Sequence, residues 1–162
     1  MAVDLFRIDD RLIHGQVVVG WGQSLDLAFF VLVDDAVAAS EWEQELYRMG
    51  VPPEMELHVR SVAQAAADLS AFQARPDHGM VLTGDIETMR RLAEAAPVPR
   101  VNVGGIHHRA GRRPKLRYVF LTEAEEQALR ALAAKGIEVT AQDVPSATSL
   151  SLDALLASTG DA

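Results

Sequence analysis

Cysteine is missing altogether from this 162-residue chain. No disulfide framework, thiolate nucleophile or cysteine-ligated zinc or iron–sulfur centre is possible, so any covalent chemistry has to use another side chain. Positive charge is in the minority: 15 Lys and Arg stand against 23 Asp and Glu, a formal net charge of −8. That balance argues against a nucleic-acid binder, which must neutralise phosphates with a basic face. Long apolar runs are missing too. No stretch approaches the roughly 20 residues that span a bilayer, and the opening residues MAVDLFRIDD carry acids where a secretory signal needs a basic start, so a cytoplasmic protein is expected. Internal repeats, low-complexity tracts and linkers are also absent. With 49% hydrophobic residues and a mean hydropathy of +0.06, the chain reads as one globular domain spanning 1–162.

What is present is alternation. Seven apolar stretches of strand length occur at 2–8, 27–33, 55–59, 79–83, 100–103, 117–121 and 136–141. Between most of them lie helical patterns at 14–25, 40–49, 61–72, 85–96 and 122–135, and a last short helix is expected at 149–157. Thr122 with Glu125 forms a capping-box pattern, Ser61 and Asp85 suit N-caps, and Gly50 and Gly136 suit left-handed positions at helix C-termini. Near-continuous apolar strands such as FFVLV need both faces covered. The expected fold is therefore α/β, an open, mostly parallel sheet with helices on both faces. Such sheets gather ligands and reactive groups beyond the carboxyl ends of their strands, which directs attention to the loops at 9–15, 34–36, 83–85 and 104–115.

The first of these loops lies within RIDDRLIHGQV, residues 7–17. Where strand gives way to helix, unsatisfied backbone N–H groups and the positive end of the helix dipole favour an anion. A phosphoryl group on His14 would be met by amides near 13–17, the stretch of Ile13, Gly15, Gln16 and Val17, and by the Arg11 guanidinium. Gly15 lets the backbone approach closely because it has no Cβ. A neutral imidazole is nucleophilic near neutral pH, and Asp10 could orient the ring or balance Arg7 and Arg11. The same residues have plainer readings: His14 as a surface or satisfied core histidine, Asp9 and Asp10 as capping or turn acids, Arg11 as a solvated charge. Spacing alone leaves both open.

RIDDRLIHGQV resembles the active-site loop of the IIB component of the mannose/fructose/sorbose family of the bacterial phosphoenolpyruvate-dependent sugar phosphotransferase system. The resemblance continues through VNVGG (101–105), GR at 111–112, KGIEV (135–139) and VP at 144–145, and so covers essentially the whole chain. It implies a phosphotransferase that needs no ATP, metal or organic cofactor. His14, attacking through Nδ1, would accept a phosphoryl group from a phosphohistidine of the IIA partner and pass it to a sugar at the IIC/IID membrane components, with Arg11 stabilising the group. It also implies a twisted seven-stranded sheet, in agreement with the strand count, and a homodimer. A regulatory alternative keeps the same His14 as a sensor of phosphorylation state without transfer to sugar.

With that loop as reference, Asn102, Gly104 and Gly105 follow a central strand, where the glycines would let backbone amides border the histidine loop or simply make a tight turn. Thr83 and Gly84 would add a hydroxyl and an amide at another strand end, or Thr83 would cap the next helix. Arg7 and Asp9 are read with Asp10 as the frame of the loop. His107 and His108 invite a metal reading with His14 and Asp34, but adjacent histidines rarely serve one ion and no HxH or HxxxH spacing occurs, so no metal site is expected. The basic cluster Arg109, Arg112, Arg113, Lys115 and Arg117 either docks an acidic partner beside the loop or is a solvated segment pairing with the chain's own acids.

Overall fold

The computed structural model describes residues 1–160, so positions 161 and 162 of the expected domain lie outside the described residues. In chain order the strands are β1 (Val3–Ile8), β2 (Phe29–Val33), β3 (Glu56–Arg60), β4 (Gly79–Thr83), β5 (Arg100–Val103), β6 (Arg113–Leu116), β7 (Val119–Leu121), β8 (Glu138–Ala141) and β9 (Leu150–Ser151). The helices are α1 (Gly22–Ser24), α2 (Asp35–Ala38), α3 (Glu41–Arg48), α4 (Val62–Gln73), α5 (Ile86–Ala95), α6 (Glu123–Ala134) and α7 (Leu152–Ala157).

Seven strands form one sheet in the order β3-β2-β4-β1-β5-β8-β9, parallel throughout except for the antiparallel β8–β9 edge. The central strands are buried on both faces, as FFVLV requires: every residue of β2 and β4 is buried. Alternate residues supply two apolar layers. Phe6, Phe29, Val31 and Val81 pack with Leu69, Phe72, Leu92 and Leu129 of α4, α5 and α6, whereas Phe30, Leu32, Met80 and Leu82 pack with Val17, Val18 and Trp21. Each such buried side chain contributes about 1.5–3 kcal/mol relative to exposure. From β1 the chain proceeds to β2 and β3 on one flank, whereas from β5 it proceeds to β8 on the other. Neighbouring strands thus send their following segments in opposite directions, and the crevice outside their carboxyl ends is where open α/β sheets bind ligands.

The helix boundaries follow their caps. Ser61 and Thr122 make complete capping boxes with Gln64 and Glu125, and Asp85 accepts from the Thr88 amide. Gly136 is left-handed at φ 90° after α6, but Gly50 is not: the positive-φ glycines among the described residues are Gly111, Gly136 and Gly160. What Gly50 supplies is room, since a Cβ there would sit 3.3 Å from Ile13 Cγ2.

The other differences have local causes. The stretch expected as a strand at 117–121 lies outside the main sheet; β7 pairs antiparallel with β6, drawn from the basic segment, and only an isolated bridge joins Val119 to Ile106. The seventh place in the sheet belongs to β9, two residues long and too short to leave a periodic signal. The helix expected at 149–157 begins at Leu152 because Ser151 caps it. The helix expected at 14–25 is a π-helix, Gln16–Trp21, running into the single turn α1. Three consecutive β-branched valines and two glycines make poor α-helix here, and the wider turn buries Val17, Val18 and Trp21 together. Among the described residues, no helix is long and apolar enough to cross a membrane.

Candidate functional site

The loop after β1 is fastened to both neighbouring strands. The Asp9 amide donates to Thr83 O at 2.9 Å, the Asp10 amide to Gly105 O at 2.8 Å, and the Leu12 amide closes a turn on Asp9 O at 3.0 Å. Leu12 itself is left-handed, φ 59°, a conformation that costs a non-glycine residue about 1–2 kcal/mol. Burial offsets the strain: Leu12 is 7% exposed in the layer of Leu32 and Leu82, and the absent side chain of Gly84 leaves the space, since a Cβ there would lie 3.1 Å from Leu12 Cδ2. Ile13 packs against the same layer. The kink at Leu12, between these anchors, presents Arg11 and His14 together.

Asp9 is the hub. It is fully buried, and its carboxylate takes the Arg11 guanidinium through Nε (3.1 Å to Oδ1) and Nη2 (3.2 Å to Oδ2) as well as the Arg11 amide (3.2 Å). Arg7 Nη2 donates to Oδ2 at 3.1 Å, and His14 Nε2 lies 3.3 Å from the same oxygen. The His14 contact is a close approach not aligned as a hydrogen bond, Nε2 being otherwise buried without a partner. Burial alone would raise the Asp9 pKa, but the adjoining His14, Arg11 and Arg7 overcome it and hold the carboxyl far below the usual carboxylate range. A carboxyl whose pKa falls on folding contributes stability that is complete above its unfolded value near about 4 and is lost as pH falls through the folded value. Asp9→Asn is therefore expected to remove one component of acid destabilisation. Urea midpoints followed from neutral pH downward should fall less steeply below about pH 4 in the variant than in the wild type, and parallel profiles would contradict the assignment.

Arg7 holds the other side of the hub. It is fully buried in the middle of the sheet, donates to Asn102 Oδ1 and to the main-chain carbonyls of Gln142 and Asp143 (2.8 Å each), and lies 5.0 Å over the Trp21 ring. Desolvation lowers its pKa, opposed by Asp9. Trp21 Nε1 donates to the same Asp143 carbonyl at 3.2 Å. Gly104 is required by contact with Arg7: a Cβ there would sit 2.2 Å from its Nη2. At Gly105 a Cβ would sit 3.1 Å from both Asp9 Oδ1 and His107 Cε1, and 3.3 Å from Arg11 Nε.

The structure thus gathers His14, Arg11, Asp9, Arg7, Asn102, Gly104 and Gly105 at one place, and it redistributes several expected roles. Asp9, not Asp10, lies against the His14 ring; Asp10 is turned to the loop after β5, 2.6 Å from His107 Nδ1. Asp9 directly follows β1, whereas Asp10 already lies in the turn that the Leu12 amide closes on Asp9 O, so the two side chains leave the backbone in different directions. The Val17 amide is spent on His14 O (3.1 Å), as is that of Val18 (2.9 Å), so Val17 serves the core rather than an anion. A π-helix of six residues supplies little dipole, which leaves Arg11 as the principal positive group. Gly15 and Gln16 are exposed, and a Cβ on Gly15 would meet nothing within 4 Å. Thr83 Oγ1 donates to Asp85 O (3.2 Å), and Asp85 rather than Thr83 caps α5. Of the basic cluster, Arg112 pairs with Glu125, Arg113 and Lys115 with Glu126, and Arg117 with Asp143. Leu12, Trp21, Gln142 and Asp143 were not singled out from sequence. A positive φ at leucine leaves no trace in composition, and a carbonyl acceptor can come from any residue. Among the described residues no group of three or more His, Cys, Asp or Glu could hold a metal ion.

A mostly parallel α/β sheet carries a histidine and an arginine, both held on one buried carboxylate, at the carboxyl end of its central strand, the place where open α/β sheets bind ligands. The chain belongs to the family described as the PTS system sorbose subfamily IIB component, which it matches over residues 3–161, that is, to the IIB components of the mannose/fructose/sorbose family. It is 32% identical over 145 residues to the mannose-specific EIIAB component of Escherichia coli K12, covering 89% of this chain but only 45% of that protein. The chain thus spans about half the length of that relative. With the sorbose-specific EIIB component of Klebsiella pneumoniae the match is 29% over 153 residues, 94% of this chain and 93% of the relative. Among solved structures, manxB from Thermoanaerobacter tengcongensis superposes with a TM-score of 0.86 at 29% identity, covering 95% of this chain and 94% of that one. The IIBSor domain of the sorbose permease from Klebsiella pneumoniae does so with 0.86 at 28% identity, covering 96% and 97%.

Proposed function

We propose that this IIB component is a phosphocarrier: His14 accepts a phosphoryl group from the phosphohistidine of a IIA partner and hands it to a sugar held by IIC and IID membrane components. In this reading it works in the cytoplasm, as a single domain and as a homodimer. The observation that carries the reading is the pairing of His14 and Arg11 on the buried carboxylate of Asp9. With Nε2 buried against Asp9, the proton resides there and the lone pair is on Nδ1. Nδ1 attacks phosphorus as the bond to the donor nitrogen breaks, and the reverse geometry serves the onward step to a sugar hydroxyl. Little covalent assistance is needed in such a transfer; positioning and charge stabilisation suffice. Asp9 positions the ring. Around Asp9 the two guanidinium groups exceed the one carboxylate by one positive charge, and Arg11, a third exposed and held on Asp9 through Nε and Nη2, is the cation that can meet phosphoryl oxygens with its outer N–H groups.

Replacing Arg11 by Lys keeps the charge and loses the fork. Transfer from phosphorylated IIA, followed by rapid quench, should slow on the order of tenfold to a hundredfold while thermal stability changes little. Unchanged kinetics would remove Arg11 from the mechanism. The whole reading is tested by supplying phosphoenolpyruvate, enzyme I, HPr, the matching IIA and membranes bearing IIC and IID, then measuring sugar phosphate. Formation that depends on this protein is expected. A protein that takes the label yet supports no sugar phosphate would instead be the regulatory sensor.

A further inference from the structure

His107 lies in the loop after β5, far in sequence from His14, and it is held firmly for a side chain that is 51% exposed. Asp10 grips it twice: Oδ2 accepts the His107 main-chain N–H at 2.7 Å, and Oδ1 lies 2.6 Å from ring Nδ1. Arg112, anchored on Glu125 of α6, donates to the His107 carbonyl at 2.8 Å. So exposed a ring gains little from burial, so the effect of this clamp is orientation. The ring borders the His14 site across Gly105: the Cβ that Gly105 lacks would sit 3.1 Å from His107 Cε1, 3.1 Å from Asp9 Oδ1 and 3.3 Å from Arg11 Nε.

An ionised Asp10 can only accept, so Nδ1 of His107 carries a proton and, in a neutral ring, Nε2 presents a lone pair. That lone pair would repel a phosphoryl oxygen, whereas an N–H there would bind one with a charge-assisted hydrogen bond. The charged groups around the ring are Asp10, Asp9 and Arg11 from the loop after β1, and Arg112 from its own loop with Glu125 of α6 behind it. The added dianion of a phosphorylated His14 favours the cationic ring.

We propose that His107 is a second, proton-dependent ligand of the phosphoryl group carried on His14, oriented by Asp10. When the phosphorus–nitrogen bond forms at His14 and the donor's breaks, Nε2 of His107 takes one proton from solvent and donates it to a phosphoryl oxygen. When the group leaves, that proton returns to solvent, and no phosphorus bond to His107 is made. The role rests on the phosphocarrier reading above.

The test phosphorylates histidine-15N-labelled protein through the donor proteins and follows the ring nitrogens by NMR between about pH 5 and 8. On phosphorylation, the His107 Nε2 resonance at the acid end of that range should change to that of a protonated nitrogen donating a hydrogen bond. The variant His107→Gln should still take label on His14, but its phosphoryl equilibrium with IIA should lie on the order of tenfold toward IIA at the acid end and lose most of its pH dependence. A His107 ring that does not respond, or a glutamine variant that matches wild type at every pH, would overturn the role while leaving the phosphocarrier reading intact. Absence of label on His14 in the wild type would overturn both.

Discussion

His14→Ala is expected to take no phosphoryl label from phosphorylated IIA while folding almost as stably as the wild type. Phosphoryl acceptance needs a nucleophilic nitrogen that can form a bond to phosphorus and release it again, and alanine has none. The fold tolerates the loss because the ring belongs to neither apolar layer and its Nε2 makes no aligned hydrogen bond. Asp9 keeps both guanidinium groups, so the expected cost is within about 1 kcal/mol. Labelling and a thermal melt of the same preparation check both halves. Label retained by the variant would move the chemistry to another residue, and a large drop in melting temperature would make His14 part of the frame.

The opposite balance is expected at Arg7, where Arg7→Met should unfold far more readily. Arg7 is buried beside a buried Asp9, and three further acceptors, Asn102 Oδ1 and the carbonyls of Gln142 and Asp143, depend on its donors. Desolvating a guanidinium is unfavourable, so an apolar replacement recovers something, and Met fits much of the same volume against Trp21. The unpaired partners decide the sign. Removing one member of a buried ion pair typically costs about 3–5 kcal/mol, because the remaining carboxylate and carbonyls stay out of water without partners. For a domain of this size that corresponds to a fall of roughly 10 °C or more in the melting temperature. Asp9 retains Arg11, which sets the lower end of the range. A melting temperature within a degree or two of wild type would mean that water or the Arg11 side chain replaces Arg7 at little cost.

These two residues also mark how far the sequence could be read. The apolar run FFVLV and the Ser61 and Thr122 caps announce their elements because burial on both faces and N-cap hydrogen bonds act locally. The number of sheet strands followed, but not their membership: residues 117–121 are apolar enough for a strand yet pair with the basic segment, while Leu150 and Ser151 complete the sheet. His14 and Arg11 were legible as a pair through the resemblance of their loop. Which of the two adjoining acids faces the ring was not, because Asp9 and Asp10 differ only in the direction the backbone gives them, and that direction depends on fastenings to Thr83 and Gly105, far away in sequence. The kink at Leu12 and the carbonyls that hold Arg7 are likewise products of tertiary packing.

The central claim is that the phosphoryl group travels on Nδ1 of His14. Phosphorus–nitrogen coupling in histidine-15N-labelled protein, phosphorylated through enzyme I, HPr and IIA, locates the bond directly. A single phosphorus resonance coupled to Nδ1 of His14 is predicted. Coupling to Nε2 of His14, or to a ring nitrogen of His58, His78, His107 or His108, would contradict it.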